Sequence, residues 1–243
     1  NAGDNVSVTA TFSESVIVDS ASGTPTLTLV VGSTDRTATY ASGSGSTPLV
    51  FQYTIQAGET DSDGISFGAN VLALNNGTIK DAAGNDATIT HSAVSANASY
   101  KVDNTAPSVN SFTLSDTALK VGDNTTVTLV FSEAVASFSS SADITVANGT
   151  LATMTSADNI TWTGTFTPTA NTEDASNTLS LATSYTDTAG NAGPAATTAN
   201  YAVETLAPTV NSVAISSASG VQNSLLNAGD NVSVTATFSE SVI

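Results

Sequence analysis

Twenty-one acidic side chains stand against four basic ones in this 243-residue chain, and the acids return at fixed places. Glu14, Glu133 and Glu240 each close a Phe-Ser-Glu triplet. Asp81 and Asp187 each open an Asp-x-Ala-Gly-Asn loop, closed by Asn85 and Asn191. Asp103 and Glu204 sit in Val-[Asp/Glu]-x-x-Ala-Pro segments. Asp61 and Asp63 share a DSDG turn, and Glu173 and Asp174 are adjacent in the second half of the chain. Carboxylates at recurring loop positions are hard oxygen donors. They suit a divalent cation such as Ca²⁺, which takes about six to eight oxygen ligands. The alternative is that the acids cap turns and keep a surface protein soluble.

Other chemistries lack their residues. His91 is the sole histidine and cysteine is absent, so neither a His-based nucleophile system nor a zinc site has its parts. His91 is expected on a loop or a strand surface. No Gly-rich phosphate loop occurs. The acids lie in turns, away from any aromatic cleft suited to glycoside hydrolysis. Arg36, Lys80, Lys101 and Lys120 are too few for a nucleic-acid surface or an anionic membrane, and the formal charge is −17. No apolar run is long enough for a membrane helix. The expectation is a non-enzyme that neither binds nucleic acid nor inserts in a membrane.

The elements that must position the acids repeat. Asn1–Ile17 and Asn227–Ile243 are identical, an offset of 227 − 1 = 226 residues. The Phe-Ser-Glu triplets are separated by 131 − 12 = 119 and 238 − 131 = 107 residues, so two related domain types alternate. The chain is expected to be a window of a longer tandem array, with export signals outside it. Domains are expected at 1–104, lacking its first strand, at 105–207, and at 208–243 as the first two strands of the next repeat.

Period-two alternation is strong in Val6, Val8, Ala10 and Phe12, in Val127, Leu129 and Phe131, and in Val232, Val234, Ala236 and Phe238. Further strands are expected over 26–31, 36–41, 49–55, 70–79 and 98–102, then 108–114, 125–131, 143–146, 160–166, 178–185 and 198–203, with no helix. Gly3, Gly122 and Gly229 in the recurring Gly-Asp-Asn are expected to turn the chain ahead of a strand. Trp162, Tyr100 and Tyr201 are expected as core or corner aromatics. Roughly seven short strands per hundred residues read as an all-β fold of tandem immunoglobulin-like sandwiches, placed end to end.

The Phe-Ser-Glu, Asp-x-Ala-Gly-Asn and Val-[Asp/Glu]-x-x-Ala-Pro motifs, in one order in both domains, resemble the bacterial Ig-like repeats of giant RTX or biofilm-associated adhesins exported by type I secretion. The resemblance implies an extracellular cell-surface location and an extender role in cell adhesion. Its partners are neighbouring repeats, with any surface ligand taken by domains outside this segment. It also implies Ca²⁺ between domains. With strands running as in an Ig sandwich, Asp61, Asp63, Asp103, Glu133 and Asp187 converge at the first junction. Glu173, Asp174, Glu204 and Glu240 form a weaker second match, and Glu14, Asp81 and Asn85 half a site. Two other functions stay open: a filament subunit joined by β-strand complementation through Pro208–Ser217, and a glycan- or protein-binding module.

Overall fold

A computed structural model describes residues 1–243. The chain opens with β1 (Asn5–Asp19), β2 (Thr26–Val31), β3 (Thr34–Ser42), β4 (Ser46–Thr54), β5 (Leu72–Ala73) and β6 (Thr78–Lys80). They form one sheet, in the order β5-β2-β3-β4-β1-β6. Alternation places Leu27, Leu29 and Val31 inward, where they are buried with Ala38, Leu49 and Phe51. Val6, Val8, Ala10 and Phe12 of β1 are half-buried against this first core. β1 pairs with β4 from Asn5↔Thr54 to Thr11↔Pro48, and after a bulge its Ile17–Asp19 end pairs with β6. Ser13 and Glu14 therefore lie inside the bulged strand, and do not end it.

The second stretch contains β7 (Val109–Leu114), β8 (Ala118–Lys120), β9 (Thr125–Phe131), the single turn α1 (Ser140–Asp143), β10 (Ile144–Thr145), β11 (Gly149–Leu151), β12 (Thr161–Pro168), β13 (Glu173–Asn177), β14 (Ser180–Leu181), β15 (Ala196–Thr197) and β16 (Tyr201–Glu204). One sheet runs β11-β12-β9-β7 and faces β10-β14-β15. These are the two layers of an immunoglobulin-like sandwich, with β7 beside β9 at the edge of one. A small β13-β16-β8 sheet closes one end, β8 lying parallel to β16. The second core centres on Phe131, whose ring meets Tyr185 at 4.9 Å and Phe138 at 5.6 Å between centroids. Trp162 packs edge-on to Phe138 at 4.9 Å. The last strands, β17 (Val210–Ser219) and β18 (Asn231–Phe238), pair only with each other, and their side chains are exposed.

The all-β immunoglobulin-like expectation holds, and several local ones do not. The strand expected at 70–79 divides because Asn70, Asn75 and Asn76 take positive φ angles of 57°, 52° and 71°. No strand forms over 98–101, because Asn97 captures the amides of Ser99 (by its side chain, 3.0 Å) and Tyr100 (by its carbonyl, 2.8 Å). Tyr100 is consequently 61% exposed and is not a core aromatic, whereas Tyr201 is fully buried. A helical turn stands where none was expected. The Asp143 carboxylate accepts the Ser139 amide at 2.7 Å and the Ser184 hydroxyl, and winds 139–143 ahead of β10.

Beneath the link between the two cores, Glu59 is buried. It accepts hydrogen bonds from the Tyr53 hydroxyl, the Arg36 guanidinium and the Gln56 amide, the last at 2.8 Å. Burial works against its charge, but these donors outweigh it and hold its pKa below the usual carboxylate value. Burial first, then Glu59 itself, pushes the Tyr53 hydroxyl up to about 12. The Glu59 contribution to stability is present above about pH 4.3 and is lost as pH falls through its depressed pKa. The Tyr53 contribution is present below about pH 10 and fades as pH rises toward 12. Glu59→Leu strands the Gln56 amide and should cost about 2–3 kcal/mol in urea unfolding, from hydrogen bonds to a charged group. Unchanged stability in that variant would exclude a structural role for the cluster. Tyr53→Phe should reduce, by the share of this one hydroxyl, the loss of stability between pH 10 and 12, to which Tyr185 and Tyr201, also raised by burial, contribute the rest.

Candidate metal centre at the junction

Three acids from three elements meet where the two cores join. Asp103 lies on the linker, Glu133 just past β9, and Asp187 in the loop between β14 and β15. One carboxylate oxygen of each lies within 4.8 Å of the others, and no other three acidic or histidine groups in the chain gather so closely. Asp187 is buried, and Asp103 and Glu133 are half-buried.

The local sequence explains the Asp187 loop. Gly190 takes φ of +96°, which turns the backbone so that the amides of Ala189, Gly190 and Asn191 all donate to Asp187 Oδ1, at 2.8, 2.7 and 2.9 Å. The Asn191 side-chain amide donates to Asp187 Oδ2 at 2.8 Å and to the linker carbonyls of Asp103 (3.1 Å) and Thr105 (3.3 Å). Asparagine at this position therefore ties the acid to the linker. Asp103 Oδ1 accepts the Thr105 amide at 2.9 Å, a turn that holds its carboxylate in place. From the other side, Asn104 donates to the carbonyls of Glu59 (2.8 Å) and Gln56 (3.2 Å) and accepts the Ala2 amide.

Glu133 differs from its neighbours in having no hydrogen-bond donor and no ion pair; the three salt bridges of the chain lie elsewhere. Burial first, then the charges of Asp103 and Asp187, raise its pKa above the ordinary carboxylate value. A donor set made only of oxygen, with one carboxylate left unpaired, matches a hard cation and offers nothing soft for zinc or copper. The side-chain carbonyl of Asn1 is buried and unpaired, while its amide donates to Ala189 of the Asp187 loop. This oxygen had no signal in the sequence, since only the fold brings residue 1 to residue 189.

Two of the five acids expected here stay apart. Asp61 turns back toward the first core, where Oδ1 accepts the Gly64 amide (2.7 Å) and Oδ2 the Gly32 amide (2.8 Å). Its backbone also pairs with Val102. Asp63 is exposed on the same turn. The weaker candidates remain scattered. Glu173 and Glu204 lie opposite each other across β13 and β16, with Lys120 on the far side of Glu204. Asp174 accepts Asn148 (2.7 Å) and the Ser176 amide (2.9 Å). Glu240 has one buried unpaired oxygen. Glu14 and Asp81 line a common groove, and Asn85 donates to both oxygens of Asp81 (2.8 and 2.6 Å). His91 is half-buried and stitches two loops, accepting the Val71 amide at 3.0 Å.

Residues 103–203 match the family model described as a bacterial Ig-like domain. That segment, less than half of the chain, is similar to such a domain. It contains all three acids of the cluster and the loop and linker that hold them. No curated protein matches the chain. Among solved structures, the Bacteroides ovatus mixed-linkage glucan utilization locus protein SGBP-B, in complex with a mixed-linkage heptasaccharide, aligns over 88% of this chain at 15% identity with a TM-score of 0.21. This chain spans 45% of that one, and overlap at so low a score transfers nothing about its ligand.

The electrostatics of Glu133 have a definite sign. Its folded pKa is raised, so in the cation-free protein it is harmless below about pH 4.3 and destabilising once pH has risen through its folded pKa. Without divalent cations, Glu133→Gln should raise the melting temperature at pH 7 and leave it unchanged at pH 3.5. A lower melting temperature at pH 7 would show that Glu133 has a stabilising partner.

Proposed function

We propose that the chain is a non-catalytic extender segment of a bacterial surface adhesin or fibre, and that Ca²⁺ at the junction stiffens it. The observation carrying this reading is the Asp103–Glu133–Asp187 cluster. Its members come from the linker, the end of one strand and a loop of the following sandwich. They meet where the linker enters the following sandwich, so the cluster fixes the linker against that sandwich. A cation bound there cancels the repulsion that burdens Glu133 and ties the linker to the sandwich. Asp103, Glu133 and Asp187 would hold it, and the Asn1 side chain is bound to the same Asp187 loop. An array of such joints has reach and stiffness, which is what holding a terminal binding domain away from a cell requires. Domain boundaries near 104 and 207 are part of this reading.

Support for a non-catalytic role comes from the placement of the acids. Apart from Glu240, every other candidate carboxylate either caps a turn, pairs, or faces solvent, and His91 is spent on a loop amide. A surface location agrees with the bacterial Ig-like match, and no helix is long and apolar enough to cross a membrane. A sugar-binding module would present aromatic platforms. Among strongly exposed large side chains only Tyr100 and Phe238 are aromatic.

Thermal unfolding and small-angle scattering in millimolar Ca²⁺ and in EGTA test the proposal. A ligand at about 100 times its Kd adds about 2.7 kcal/mol, which corresponds to a rise in melting temperature of roughly 5–10 °C. The particle should also become longer and stiffer. In Glu133→Gln the Ca²⁺-induced rise should shrink or disappear. Identical melting and scattering in the two buffers would remove the cation and leave a plain spacer.

A further inference from the structure

Tension along the chain enters the second sandwich at its N-terminal strands, β7 and β8, and leaves at its C-terminal strand, β16. β8 and β16 are hydrogen-bonded neighbours, with Ala118, Leu119 and Lys120 opposite Ala202, Val203 and Glu204. They run parallel. Every other strand pair of the chain is antiparallel.

The direction matters under load. A pull from the N-terminal side draws β8 backward along its own axis, and a pull from the C-terminal side draws β16 forward along its own. Two parallel strands are thereby dragged past each other, and the bonds between them are strained together, in shear. In an antiparallel pair both pulls would act at one end, and the bonds would open one after another. We infer that the β8–β16 pair is a mechanical clamp, which sets the force at which the second sandwich gives way.

The surroundings of the pair suit that task. Leu119 and Val203, partners across it, are each only 1% exposed. A hydrogen bond away from water has no competing partner waiting when it is stretched. The Ala202 amide donates to the Thr117 carbonyl at 2.8 Å at the start of the pair. On its other edge β16 is held by β13, through Glu173↔Glu204 and Asp174↔Val203.

Both ends of the sandwich are also fastened. At the entry, the Asn191 side chain donates to the carbonyls of Asp103 and Thr105. At the exit, the buried Thr205 donates its amide to the Thr172 carbonyl at 2.8 Å and its hydroxyl to the Thr169 carbonyl at 2.7 Å. These contacts oppose peeling of the ends before the clamp takes the load. All of these residues lie between Asp103 and Thr205. The extender reading gives the clamp a use, but the clamp itself requires no cation.

Pulling one folded protein in two directions tests the inference. The chain has no cysteine of its own, so engineered thiols choose where the handles attach. Ala106, Lys120 and Leu206 are exposed, and cysteines there leave the fold intact, which equal urea midpoints would verify. In the full-length chain, Ala106→Cys with Leu206→Cys loads the pair in shear. Lys120→Cys with Leu206→Cys pulls from neighbouring ends of β8 and β16 and unzips it. Force spectroscopy in EGTA should give an unfolding force at least about twofold higher in the first geometry, since forced unfolding reports the barrier along the pulled direction and not the equilibrium stability. Val121→Cys in place of Lys120→Cys should reproduce the low force. Equal forces in the two geometries would overturn the clamp. In the shear geometry, Leu119→Ala should lower the force more than Leu181→Ala, although both remove the same atoms from buried positions. Equal losses would overturn it as well. Because the forces are read in EGTA, failure of the Ca²⁺ reading leaves this result standing.

Discussion

A strand with the sequence of β1 has two backbone edges and one apolar face, and the architecture depends on where each finds a partner. Unpaired amides and carbonyls are costly once buried, and an apolar face is stable only against other apolar surface. β9 satisfies all three demands, with β12 and β7 on its edges and Phe131 at the centre of the second core. β1 satisfies its face and one edge. β18, identical in sequence, satisfies a single edge and leaves Val232 and Val234 exposed.

The junction adds an electrostatic constraint to this mechanical one. Asn104 binds the linker to the loop above the Glu59 cluster, and Asn191 binds it to the Asp187 loop. Two asparagines thus grip a short linker from opposite sides. The same grip forces three carboxylates together. Asp187 is compensated by backbone amides, Asp103 by one amide, and Glu133 by nothing. The strain of this arrangement is concentrated on Glu133, where a cation would have its largest effect. Glu59, an acid of the same charge nearby, illustrates the opposite solution, since Arg36, Tyr53 and Gln56 surround it with donors.

Much of this was legible in the chain. Period-two alternation placed the strands around Val6–Phe12, Thr26–Val31 and Thr125–Phe131, because a half-buried strand must alternate its side chains. The recurrence of Phe-Ser-Glu and Asp-x-Ala-Gly-Asn singled out Glu133 and Asp187 before any fold was known, and the linker motif singled out Asp103. Repetition identifies positions that serve one local geometry, and both Asp-x-Ala-Gly-Asn loops do fold alike.

What the sequence by itself determined is the class of fold, the repeat and the short list of acids, since these follow from periodicity and local turn chemistry. Tertiary structure decided which acids meet. Asp61 and Asp103 are both aspartates near turns, but Asp61 faces the amides of Gly32 and Gly64 while Asp103 faces Glu133 and Asp187. The Asn1 side chain, bound to Ala189, and Glu59, met by Arg36, were likewise set by contacts between residues apart in the chain, whereas the exposure of Tyr100 follows from the local Asn97 turn. The direction of a side chain depends on the backbone that folds back over it, and no local pattern encodes that.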